Sequence, residues 1–68
     1  MKIIEIKNNE VNVLLSKDEI HFLNNTINET FQALDDWDFS IRTGFSIDEA
    51  RKLQKDIGKI AEAMRSIA

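Results

Sequence analysis

Two short segments, Ser16-Lys17-Asp18-Glu19 and Ser46-Ile47-Asp48-Glu49, constrain this chain more than anything else in it. Each is a capping box. The Ser hydroxyl accepts from the third backbone N–H of a helix, and the Glu carboxylate returns a bond to the Ser N–H. Leu15 and Ile20 flank the first box at the hydrophobic-staple positions, and Phe45 precedes the second. Two helix starts in a chain of 68 residues leave room for one small domain, residues 1–68. No internal repeat, linker or low-complexity segment divides it.

After the first box, Ile20, Leu23, Ile27, Phe31 and Leu34 make a single stripe at helical period, which predicts a helix from Lys17 to about Leu34. After the second box, Leu53, Ile57, Ile60, Met64 and Ile67 alternate steps of four and three. This heptad spacing fits an amphipathic helix packed within its own domain, or a seam that meets a second helix. Ala50, Gly58 and Ala61 lie near the stripe and suit a close approach by another element.

Before the first box, Asn8-Asn9 separates two apolar runs and predicts a tight hairpin turn, since Asn tolerates positive φ. Pairing outward from that turn sets Ile6 against Val11, Ile4 against Val13 and Ile3 against Leu14. One face then carries Ile4, Ile6, Val11, Val13 and Leu15 toward a core, and Ile3 with Leu14 marks the outer face. Between the helices, Trp37, Phe39 and Ile41 alternate with Asp38, Ser40 and Arg42, which is strand periodicity. A third strand at 37–42 is the first reading, and an irregular connector dropping aromatics onto the core is the second. The expected fold class is α+β in the order β-β-α-(β)-α, with two amphipathic helices packed on one face of the sheet.

The chemistry-bearing residue types are scarce. Cys is absent and His21 is the single histidine, so disulfides, thiol chemistry and zinc ribbons are excluded, and no metal or cofactor is expected. His21 falls at the polar border of the first helix, about 100 degrees from its apolar centre. A calcium loop starting at Asp36 would need Gly at its sixth position and Glu at its twelfth, where Ile41 and Ile47 stand. Gly44 and Gly58 are the only glycines, too few for a phosphate-binding loop. Ser16 and Ser46 are accounted for as caps. The chain reads as a non-enzyme.

Nine Lys or Arg against twelve Asp or Glu give a net charge of −3. The segment Thr43-Gly44-Phe45-Ser46-Ile47-Asp48-Glu49-Ala50-Arg51-Lys52-Leu53 resembles a helix start of helix-turn-helix activators of the MerR type. Acids interleave with the bases of that helix, however, and Asp48–Lys52 and Glu62–Arg65 are spaced as solvated pairs. Nucleic-acid binding needs a one-sign surface, so it is disfavoured. No apolar run approaches the roughly 20 residues of a membrane span. The charged start Met1–Lys7 does not fit a signal-peptide core, and a cytoplasmic setting is expected.

Three surfaces exceed what one small core requires. Phe22 lies roughly 200 degrees from Ile20 on the first helix, near Thr26 and Ala33. Ile3 and Leu14 meet on the outer sheet face. The third is the seam from Leu53 to Ile67. The segment from Glu29 to Asp38 adds four acids and no base, with Asp35, Asp36 and Asp38 as candidate contacts for a basic partner.

Leu15-Ser16-x-x-Glu19, Leu23-Asn24-x-x-Ile27-Asn28-Glu29 and Phe39-x-x-Arg42-x-Gly44-x-Ser46-x-x-Glu49-Ala50-x-x-Leu53 together resemble small bacterial proteins, some of the toxin-immunity type. The resemblance covers residues 11 to 60 and implies no residue roles. It implies a protein-binding module that occludes a partner such as a basic toxin or nuclease. A structural homodimer is the alternative reading, and Phe22, Asp35, Asp36, Asp38, Ile3 and Leu14 are the expected contact residues.

Overall fold

The computed structural model describes residues 1–67. Two strands and three helices follow in the order β1 (Lys2–Ile6), β2 (Val11–Leu14), α1 (Lys17–Ala33), α2 (Asp36–Thr43) and α3 (Ile47–Arg65). The α+β class stands, with a two-stranded antiparallel sheet and a third helix that the alternation at 37–42 did not predict.

That segment is helical because its ends are chemically closed as helix ends. Asp35 is the N-cap of α2, its Oδ1 accepting from the Asp38 N–H at 2.9 Å. Asp36 and Asp38 place negative charge in the first turn, where the helix dipole favours it. At the other end Gly44 adopts φ 76°, and its N–H donates to the Ser40 carbonyl. A left-handed residue is the standard helix stop, and Gly takes it without a Cβ penalty. Local capping thus outweighs six residues of period-two patterning.

α1 begins as expected. Ser16 Oγ accepts from the Glu19 N–H at 3.1 Å, and Glu19 Oε1 accepts from the Ser16 N–H at 2.9 Å. The second box is half formed. Ser46 Oγ accepts from the Glu49 N–H at 3.2 Å, but the Glu49 carboxylate takes the Ser46 hydroxyl at 2.8 Å.

The core belongs to the helices. Ile20, Phe39, Ala50 and Ala61 are buried, one from α1, one from α2 and two from α3. Phe39 stacks on Phe31 with ring centroids 4.6 Å apart, and the Arg51 guanidinium covers the Phe31 ring 4.9 Å from its centroid. Asn28 accepts a 2.7 Å bond from Gln54 between α1 and α3, so the one polar pair at that contact is satisfied. The stripe of α3 divides: Ile57 and Met64 are half-buried beside Ala50 and Ala61, while Leu53, Ile60 and Ile67 stay exposed. Gly58 does not mark a forced close approach. A Cβ built there meets Asn24 Oδ1 at 3.9 Å, an ordinary contact.

The hairpin departs from expectation in three ways. Its turn closes with the Lys7 N–H on the Glu10 carbonyl at 2.9 Å and uses no left-handed Asn, since no non-glycine among the described residues has positive φ. Its register keeps Ile6 opposite Val11 and then shifts between Ile3 and Glu5, pairing Ile3 with Val13 and Lys2 with Leu14. Ile4 is the extra residue of this bulge. Finally, the helices do not cover the sheet. No strand Cα lies within 8 Å of a helix Cα, and every strand residue is exposed except Val13, which is half-buried. The chain has a radius of gyration of 13.5 Å, against about 11 Å for a compact domain of this length.

Candidate protein-interaction surfaces

α2 presents two apolar sides, because residues two apart on a helix lie roughly 200 degrees from each other. Phe39 takes the inner side at 4% exposure. Trp37 and Ile41, one turn apart, take the outer side at 72% and 62%. Around them stand Asp35, Asp36 and Asp38, none of which enters an ion pair among the described residues. Asp35 also serves its own helix as the N-cap, so its carboxylate is structural as well as available. Chemically, an exposed aromatic ring offers contact area at small entropic cost, and carboxylates beside it favour an approaching positive charge. Trp37 and Ile41 escaped the sequence reading because a strand assignment sends both to a core. Asp35 and Gly44 as the two ends of one short helix would have placed them.

Phe22 is 67% exposed, as its position opposite Ile20 predicted. Its neighbours differ from those expected. It borders an apolar groove of about 320 Å³ with Met1, Leu15 and Leu23, and Asp18 and Glu19 form the polar edge. Thr26 turns its hydroxyl to the Leu23 carbonyl at 2.9 Å, satisfying itself locally. Phe22 and the Asp35–Asp38 segment are separated by most of α1, roughly 16 Å of helix axis. The structure therefore does not bring these contacts into one patch.

Ile3 and Leu14 are exposed but are not opposed. Cross-strand partners share a face, so the bulge sends Ile3 to the side of Ile6, Val11 and Val13, and Leu14 to the side of Lys2, Glu5 and Asn12. The outer patch they were expected to form does not exist. In its place the apolar face of the hairpin is open around a half-buried Val13, with Ile6 at 71% and Val11 at 56% exposure.

Part of the charged surface is locally paired. Lys7 sits between Glu5 and Glu10 at 3.6 and 3.7 Å. On α3, Lys52 pairs with Asp56 at 2.9 Å in place of the expected Asp48, and Arg65 with Glu62 at 3.6 Å. The Lys52 hydrogen bond holds the Asp56 carboxyl below its ordinary range. Such exposed pairs add little stability, but they divide the basic surface of α3. At the groove, the Met1 ammonium bonds to Glu19 Oε2. That bond first, then the Ser16 N–H, holds the Glu19 carboxyl down to about 2.

Among the described residues no three His, Cys, Asp or Glu side chains gather as a metal site, and no helix is long and apolar enough to cross a membrane. Comparison of the chain with protein-family models, with curated proteins and with solved structures finds no match.

Proposed function

We propose that this chain is a non-enzymatic protein–protein interaction module, working in the cytoplasm, that occludes a partner in the manner of immunity and antitoxin proteins. The observation that carries the proposal is Trp37, held outward on a capped helix between unpaired carboxylates. Packing inside this chain gives that ring no use. A basic partner would gain both the ring's area and the attraction of Asp35, Asp36 and Asp38. The net charge of −3 supports the same sign of partner, and the cysteine-free composition suits a reducing compartment.

The test starts with capture of a stoichiometric partner from the source cells, followed by calorimetry with purified components. Trp37→Ala should weaken binding about 30-fold or more, the usual loss at a central interface Trp. Replacing Asp35, Asp36 and Asp38 by Asn keeps the N-cap, since Asn caps as well as Asp. That triple variant should bind more weakly at low salt and lose most of its salt dependence. Unchanged affinity in both variants removes α2 from the interface.

A further inference from the structure

We propose that the open hairpin is a dimer interface, covered by a second copy of this chain related by a two-fold axis. A two-stranded hairpin standing alone is marginal in water, and here every strand residue but the half-buried Val13 is solvent-exposed, with Ile3, Ile6 and Val11 on one face. The amount of missing cover fits a second copy. The chain exposes 5550 Å², whereas a compact monomer of 7.9 kDa exposes about 4,400 Å². Two chains that each covered that excess would bury about 2,300 Å², the size of an obligate homodimer and larger than most transient contacts.

Charge selects the same occupant. Lys2, Glu5, Lys7 and Glu10 alternate in sign along the hairpin and sum to zero. A symmetric copy therefore brings no block of like charge, as an isologous contact requires. A basic partner gains nothing there, and the unpaired acids lie on α2. The hairpin surface is thus distinct from the α2 surface, and a dimer would present two copies of the latter.

Sedimentation equilibrium of the full chain at tens of micromolar should return twice 7.9 kDa. Its melting temperature should rise with protein concentration, because folding and association are then linked. The double variant Ile6→Lys, Val11→Lys should sediment as a single chain or lose at least 100-fold in dimer affinity. Trp37→Ala should leave the dimer mass unchanged, which separates this interface from partner binding through α2. If the double variant fails to fold, the wild-type concentration series decides alone. A single-chain mass with a concentration-independent melting temperature overturns the proposal, even where another protein later covers the hairpin. A dimer that survives both Lys substitutions, or one dispersed by Trp37→Ala, overturns it equally.

Discussion

The strands of this protein are richer in apolar residues than its helices, yet it is the helices that bury theirs. In the helical part, three elements converge on four buried side chains, and an aromatic stack joins α1 to α2. The hairpin spends Ile3, Ile4, Ile6, Val11 and Leu14 on solvent. Helices satisfy their backbone internally and need only one packed stripe. A two-stranded sheet satisfies half its backbone groups and needs a face covered from outside. Apolar content alone therefore does not say where a small chain is closed.

The contrast can be broken most strongly from the helical side. Phe39→Ala removes the buried ring that holds α2 to α1, a loss of about 3–5 kcal/mol. Total stability of a chain this size is about 3–10 kcal/mol, so the variant should be largely unfolded by circular dichroism at 25 °C. A cooperative melt near that of the wild type would show that the helices do not depend on this contact.

Two glycines sharpen the contrast within the helices. Gly44 needs its left-handed φ, and nothing lies near its missing Cβ. Gly44→Ala should therefore cost only the backbone term, about 1–2 kcal/mol. Gly58 sits inside α3 with room for a methyl group. Gly58→Ala should stabilise by about 1 kcal/mol, raising the melting temperature by about 4–8 °C. A loss at Gly58 would mean that α1 and α3 approach more tightly than the 3.9 Å contact indicates.

The smallest effect concerns the join between the two regions. Glu19 accepts from both the Met1 ammonium and the Ser16 N–H, and its carboxyl is lowered from 4.5 to about 2. The sign follows from which state takes the proton first. Above pH 4.5 the carboxylate is charged in both states and its contribution is complete. As pH falls toward about 2, the unfolded chain protonates first, so that contribution is progressively lost. In the folded protein the Glu19 carboxyl signal in an NMR titration should have its midpoint near 2, and Ser16 amide protection should fall with it. A midpoint near 4.5 would show that the Met1 and Ser16 bonds to Glu19 are not maintained in solution.

Much of this architecture was legible in the residues, and the part that was not has a common cause. The starts of α1 and α3 were readable because Ser16, Glu19, Ser46 and Glu49 act within one turn of themselves. Asp35 and Gly44 carry the same kind of information for α2, but the period-two alternation of Trp37, Phe39 and Ile41 between them mimics a strand. The register was unreadable at Ile3 and Ile4, since two identical side chains offer no pattern by which to place a bulge. Of the expected contact residues, Phe22, Asp35 and Asp36 are placed as exposed side chains and Asp38 as half-buried, while the Ile3–Leu14 pair dissolved with the register.

The hairpin, the starts of α1 and α3 and the sparse chemistry follow from residues close together in the chain, because capping, turn formation and residue supply depend on such neighbours. Tertiary structure decided which apolar residues are covered. Burial depends on separate elements finding one another: Phe39 meets Phe31 across a helix junction, whereas Ile6 and Val11 pair across the hairpin and both stay exposed. That decision turned an expected core face into an open surface and an expected core aromatic, Trp37, into an exposed one.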